Sequence, residues 1–382
     1  MNASLNKKLQ AVKWGEYTLG DLFTSQNGDF DIQKTHINGK GEYVITAGLS
    51  NNGVLGKSDV NAKIFKKNTI TVDMFGNAFY RQFDYKMVTH ARVFSLAANF
   101  SITERQGLFL ANSFCYLSNE FGFDNMCSWE KIKTKSIRLP YKDGEIDFDF
   151  MESFIAELEA QRIAELSAYL KASGFDNYEL SEEELNVLER FTELGDDNWG
   201  TYIVGNLFEK VTTKKLPYKA KELPKQPTDD FVLPCLTSSF QNQGLNYYAP
   251  KEGATVINNV ISLPSNSDVY RAYYQSRDFT VLSDSYAIQW KSTENKPTPN
   301  QYLFMVMCIN KVTDLPIYSY KNKLGGWNVV KHKEIRLPEK DGKIDFAFMD
   351  TFISAIKKLA IKDVVKYSDA KIKATKKVVS CK

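Results

Sequence analysis

Two stretches of the chain carry apolar residues at helical spacing. In the first, Phe150, Phe154, Leu158, Ile163, Leu166 and Leu170 recur at three- to five-residue steps, and in the second Phe348, Phe352, Ile356, Ile361 and Val364 do the same. This period buries one stripe of a helix and predicts two long amphipathic helices. Upstream of each the pattern changes. Segments such as NTITVDMF, ARVFSLAA, ATVINNVISL and SYAIQW are short, rich in β-branched or aromatic residues, and separated by turn signals such as Asn52-Gly53 and Pro297-Thr298-Pro299. They predict strands, with one short helix in each body, around 103–118 and 298–310.

The chain is written twice. Ile137-Arg138-Leu139-Pro140, followed by YKDGEIDFDFMESFI, returns as Ile335-Arg336-Leu337-Pro338, followed by EKDGKIDFAFMDTFI, at an offset of 198 residues. That offset also carries Trp129 onto Trp327 and Tyr169 onto Tyr367. The beginnings of the halves match as well: Trp14-Gly15-Glu16-Tyr17 with Leu22-Phe23 reappears as Trp199-Gly200-Thr201-Tyr202 with Leu207-Phe208, now at an offset of 185. Between these anchors the halves diverge, with faint echoes such as Tyr80-Arg81 against Tyr270-Arg271. A repeated frame around divergent content predicts tandem domains of one architecture. The fold class expected is α/β (α+β), with two β-rich domains over 1–143 and 199–341. Long helices follow over 144–172 and 342–382, the latter with a basic tail, and 173–198 reads as a connector with a short helix.

At ~1.5 Å per residue, a helix of about 24 residues is roughly 36 Å long, more than a small body needs for cover. The first helix carries Glu145, Asp147, Asp149, Glu152, Glu157, Glu159 and Glu165. The second runs into Lys357, Lys358, Lys362, Lys366, Lys371 and Lys373. Opposite charge and matched apolar stripes favour pairing as an antiparallel coiled coil over independent packing.

Composition adds boundaries more than identity. Charged residues are 25% and apolar residues 43% of 382, with a net charge of +3. That supports a folded chain and permits a basic patch without announcing a nucleic-acid partner. The five cysteines, Cys115, Cys127, Cys235, Cys308 and Cys381, form no C-x-x-C pair and read as reduced thiols. The opening MNASLNKKLQAVKWGEY lacks the apolar stretch of a signal peptide, and no run is long enough to span a bilayer, so the expected compartment is the cytoplasm, without a membrane partner.

Catalytic constellations are missing from the sequence. It contains neither a phosphate loop of the G-x-x-x-x-G-K-[ST] type nor an Asn/Asp-Pro-Pro-aromatic methyltransferase motif. His36, His90 and His332 are isolated from one another, which argues against a histidine metal site. Asp143 and Asp147 beside Lys142 superficially suggest a nuclease cluster. They recur as Asp341 and Asp345 next to Gly144 and Gly342, which is the signature of a turn followed by a helix start.

Variable body, repeated helix, variable body, repeated helix, with IRLP-x-x-DG-x-IDF ahead of each helix and Trp-Gly-x-Tyr opening each half, resembles the specificity subunits of type I restriction-modification systems and the related subunits of bifunctional type II systems. The resemblance covers nearly the whole chain. It implies a non-catalytic DNA-sequence-specificity subunit in which each body reads one half of a bipartite, asymmetric double-stranded target. The helices would set the spacing and dock methyltransferase (modification) subunits, with a restriction subunit as a further partner. It implies no cofactor in this chain, and places S-adenosylmethionine, Mg2+ and ATP in partner subunits. A structural scaffold that docks partner helices without reading DNA is the alternative, and it leaves two large divergent bodies without a task.

Readers of bases and phosphates are expected among polar and cationic side chains near turns. The candidates are Lys66, Lys67, Arg81, His90 and Arg92 in the first body, and Lys214, Lys215, Ser238, Asn242, Arg271, Lys321 and Lys323 in the second. For each, a solvated surface role competes, and the Tyr-Arg setting shared by Arg81 and Arg271 also reads as a repeated structural feature. For the helix-helix or partner interface the candidates are Phe154, Leu158, Leu166, Phe352, Ile356 and Val364, where the seam between the two helices is the competing reading.

Overall fold

A computed structural model describes residues 3–193 and 198–380, with side chains through 374. Cys381 and the last lysines of the basic tail lie outside the described side chains. The chain divides into two compact units, one built on residues up to 169 together with the chain's end from 368, the other on 170–367.

In each unit the two repeated anchors are hydrogen-bonded to each other. The opening strand Trp14–Thr18 runs antiparallel to the closing strand Ser136–Lys142, pairing Trp14 with Pro140, Gly15 with Leu139 and Tyr17 with Ile137. Trp199–Ile203 and Glu334–Lys340 repeat that register, Trp199 with Pro338, Gly200 with Leu337 and Tyr202 with Ile335. The glycine of Trp-Gly-x-Tyr has a steric reason: a Cβ on Gly200 would come within 2.6 Å of the Tyr202 ring, and one on Gly15 within 2.9 Å of Tyr17. Ile137, Leu139, Ile335 and Leu337 alternate into the cores.

The closing strand turns back through Asp143-Gly144 and Asp341-Gly342, all four with positive φ. Two consecutive left-handed residues make the tight hairpin that Asp-Gly favours. One residue past the short return strand, Asp147 Oδ1 accepts from the Phe150 N–H at 2.8 Å, and Asp345 Oδ1 from Phe348 at 2.9 Å. These carboxylates cap the helices Phe148–Ala172 and Phe346–Ser380. The turn and helix-start reading of the aspartates accounts for their geometry.

The divergent bodies share one topology. In the first, a four-stranded antiparallel sheet runs in the order Phe23–Asn27, Phe94–Ala98, Thr69–Val72, Ala78–Arg81. A three-stranded sheet follows the order Val54–Ser58, Glu42–Ile45, Tyr85–Met87, its last pair parallel. The second body repeats both orders, with Phe208–Lys210, Ser285–Trp290, Val260–Pro264 and Tyr273–Gln275, and with Leu245–Ala249, Leu233–Leu236 and Thr280–Val281. Even the register shift in the small sheet recurs, between Val44 and Ile45 and between Cys235 and Leu236.

The predicted short helices are Glu104–Ser113 and Pro299–Thr313. Each opens on a capping box, Thr103 with Gln106 and Thr298 with Gln301. The same threonines donate at 2.5 Å to carboxylates of the long helix in their own half, Glu152 and Asp350. The first turns of each long helix are therefore built into the domain before it.

Each half also begins with a packed helix, the first not predicted from the sequence pattern and the second predicted there as part of a connector. Ala3–Ala11 buries Leu5, accepts the Trp14 indole N–H at Leu9 O and pairs Lys8 with Glu157. Within 173–198, the helix Glu182–Glu193 buries Val187 in the second core. Glu184, itself buried, accepts from Lys358 at 2.8 Å and from Ser354 at 2.9 Å. The residues read as a connector thus include a packed element of the second domain.

Burial pushes the Glu184 carboxyl up, but hydrogen bonds from Lys358, Ser181 and Ser354 outweigh it and hold the group below the usual range. A depressed carboxyl stabilises the fold above its unfolded pKa and loses that contribution as pH falls through the folded value. Glu184→Gln is expected to cost about 1–3 kcal/mol at neutral pH. Urea denaturation should show that difference shrinking in acid, and a pH-independent difference would refute the ion-pair account.

Candidate DNA interface

One end of each body gathers three loops. In the first body, Gly48 N donates to Asp73 Oδ2 at 2.8 Å, joining the Gly48–Gly53 loop to the turn at Asp73–Asn77. Cys127 N donates to Met74 O at 2.8 Å, joining that turn to the 120–127 loop. In the second body, Ser267 donates to Ser238 O at 2.8 Å and Tyr320 N to Asp268 Oδ1 at 2.9 Å, tying together the loops around 238–244, 265–269 and 315–323.

The first loop of each set has the same shape. Asn51, Asn52 and Gly53 have positive φ, and so do Asn242, Gln243 and Gly244. Asparagine and glycine tolerate that region best, so the Asn-Asn-Gly and Asn-Gln-Gly strings encode one loop. At their tips Leu49 and Phe240 are exposed.

Behind this loop sits a buried polar residue in each half. Arg81 is 2% exposed, its guanidinium beside Gly53 and its Nε donating to Thr71 Oγ1 at 2.8 Å. Burial pulls it down to about 10. Its counterpart is Gln275, also buried, which donates to Ser262 Oγ and to Gln243 O, both at 3.0 Å. Strand register fixes the equivalence: Ile70 pairs with Tyr80, and Ile261 with Tyr274. The two tyrosines donate alike to Asn68 and Asn259, each at 2.8 Å.

This corrects two expectations. Tyr80-Arg81 corresponds to Tyr274-Gln275 and not to Tyr270-Arg271. Arg81 is not placed to meet DNA, because its head group is enclosed and committed within the body.

The other candidates separate into groups. Ser238, Asn242, Lys321 and Lys323 come together on the three-loop end of the second body, where the Lys323 ammonium lies 4.8 Å from the Tyr320 ring centre. Arg92 reaches the corresponding end of the first, in a cleft of ≈ 770 Å³ also lined by Asn27, Thr89, Phe123 and Lys131. Lys66 and Lys67 lie at the opposite end of the Thr69–Val72 strand, bound to Asp84 by the Lys66 ammonium at 2.8 Å and the Lys67 N–H at 2.9 Å. Lys214 and Lys215 are exposed just after the strand Phe208–Lys210, where Lys214 N donates to Thr255 Oγ1 at 2.9 Å. His90 is held by Asp31 at 2.5 Å, and Arg271 by Asp314 at 2.6 Å. The sequence reading missed the Leu49–Asn52 tip and Phe123, although the Asn-Asn-Gly string was a usable signal.

Of the helix candidates, Phe154 and Phe352 are not available to a partner. Phe154 packs edge-on against Phe109 and Phe352 against Phe304, each in the core of its own domain. They fall on the first turns, which cover the sheets. Leu158 is half-buried against the first core, and Leu166 is half-buried. Ile356 and Val364 are 39% and 43% exposed. Among the described residues there is no cluster of metal-ligating side chains and no helix long and apolar enough to cross a membrane.

One scaffold built twice, each copy offering its own loop edge and carrying a long helix, defines a duplicated recognition protein. The family described as type I restriction modification DNA specificity domain matches residues 11–168 and 196–367, and the chain belongs to it as a specificity subunit of a restriction-modification system with two tandem target-recognition domains. It is similar to the specificity subunit S.BcgI of a type II restriction enzyme from Heyndrickxia coagulans, 21% identical over 348 residues, covering 90% of this chain and 94% of that one. Its fold is that of the type I restriction-modification S subunit from M. genitalium, with a TM-score of 0.53 at 13% identity over 96% of this chain and 94% of the other.

Arg81→Met removes a buried charged hydrogen bond and is expected to lower stability by about 1–3 kcal/mol. Lys66→Ala and Lys67→Ala, at exposed positions, should leave the stability close to that of the parent. Chemical denaturation of the three variants checks the order, and a neutral Arg81→Met would contradict the placement.

Proposed function

We propose that each domain reads one half of an interrupted, asymmetric duplex target through its three-loop end. In this reading the long helices pack antiparallel as a spacer and dock methyltransferase subunits. Methylation and cleavage, with S-adenosylmethionine, Mg2+ and ATP, belong to those partners and to a restriction subunit. The observation that carries it is a shared scaffold with unlike loops: Ser-Asn-Asn-Gly stands in one half where Gln-Asn-Gln-Gly stands in the other. Two identical frames with different side chains at one end recognise two different short sequences, because base edges are distinguished by the donors, acceptors and apolar groups brought to them.

Two features support the role of the helices. Their charges are opposite in sign, acidic along the first and basic along the second. On the second, Ile356, Leu359 and Val364 remain exposed beyond the turns that cover the domain, leaving apolar surface for a partner helix.

The test is selection from a randomised duplex library by the purified chain, alone and with its methyltransferase partner, at fixed salt, since phosphate contacts make affinity salt-dependent. An interrupted motif with unlike halves is expected. A folded complex that enriches no motif, or one contiguous motif, would contradict the proposal.

A further inference from the structure

The third loop of each domain presents an aromatic ring to solvent in the same way. In the first, Gly122 and Asn125 exchange backbone hydrogen bonds, N–H to C=O at 3.1 and 3.3 Å, and the Asn125 amide donates to Glu120 O at 3.2 Å. In the second, Ser319 N donates to Asn322 O at 3.0 Å and the Asn322 amide to Ile317 O at 2.8 Å. Both asparagine side chains reach back five residues. The residue after Gly122 is Phe123, 75% exposed, and the residue after Ser319 is Tyr320, 56% exposed. The offset between the rings is 197, one residue away from the frame set by Trp129 and Trp327, so the equivalence is invisible to a simple alignment.

Neither ring is loose. Phe123 packs edge-on against Phe75 at 5.0 Å, and Lys131 braces its loop through Asn125 Oδ1 and Met126 O, both at 2.8 Å. Tyr320 is anchored through its N–H to Asp268. Holding a large ring in water on a cross-braced loop buries little apolar area, so core packing does not explain it. Cations flank both rings: Arg92 and Lys131 share the cleft with Phe123, while Lys321 and Lys323 adjoin Tyr320. An apolar, planar tip among cations matches a ligand with flat faces and a polyanionic backbone.

We propose that Phe123 and Tyr320 are equivalent base-contacting wedges, one for each half of the DNA target. Resting on the DNA-reading function proposed above, this assigns the occupant of the exposed tips as duplex DNA. The rings insert against bases while the neighbouring cations hold phosphates.

The experiment uses the full chain assembled with its methyltransferase partner and the duplex selected from the randomised library. Phe123→Ala and Tyr320→Ala should each weaken binding to that duplex by roughly tenfold, as loss of a base–aromatic contact does. Affinity for random-sequence duplex should be unchanged. Phe123→Tyr and Tyr320→Phe should bind like the parent. In a reselection, Phe123→Ala should relax one half of the motif and Tyr320→Ala the other. Alanine variants that keep the parent's affinity and motif, or that lose affinity equally on both duplexes, overturn the wedge while leaving the DNA-reading function intact. A parent complex that selects no motif overturns both. Circular dichroism and thermal melting of each variant exclude misfolding as the cause of a loss.

Discussion

Everything in each domain hangs on one antiparallel ladder, between the strand that opens it and the strand that closes it. Residues more than a hundred positions apart, Trp14 and Pro140 or Trp199 and Pro338, are paired directly, so the body between them is a closed loop on a fixed base. The closing strand then makes a two-residue hairpin and an aspartate-capped helix start within a few residues. There is little slack in that sequence of events. Where the ladder points, the long helix follows, and the threonine caps of the body helices tie its first turns down.

This division of labour explains why the repeated residues repeat. Trp-Gly-x-Tyr, Ile-Arg-Leu-Pro and Asp-Gly are requirements of pairing, close approach and left-handed backbone. The loops are free to differ because the polar residues behind them are interchangeable in kind. Arg81 in one half and Gln275 in the other both satisfy a buried hydroxyl from the neighbouring strand and lie against the base of the first loop. A recognition surface can change on such a base without unsettling the fold.

The frame was legible in the sequence because its residues are nearly identical between halves, and the strands and helices because their periodicities are clean. The shared topology of the bodies was not. Its determinants are positions such as Thr71 and Ser262, or Gly107 under the Tyr80 ring and Tyr302 stacked on Tyr274, which keep geometry while changing residue. Insertions shift the offset from 198 at the closing strand to 191 at the first loop, which is why Tyr80-Arg81 aligned with the wrong dipeptide. The site was less legible than the fold. A lysine near a turn looks the same in sequence whether it is bound to a carboxylate, as Lys66 is to Asp84, or grouped with other cations beside a ring, as Lys323 is. The threonine and glutamine three residues apart at the start of both body helices were an available signal of equivalence.

The central claim, one scaffold carrying two independent readers, is tested most directly by replacing the first body, residues 14–140, with the second, residues 199–338, in the full chain with its partner and determining the target. The account predicts a target made of two copies of the second half, with the spacing retained. A target that changes in both halves, or in its spacing, would contradict it.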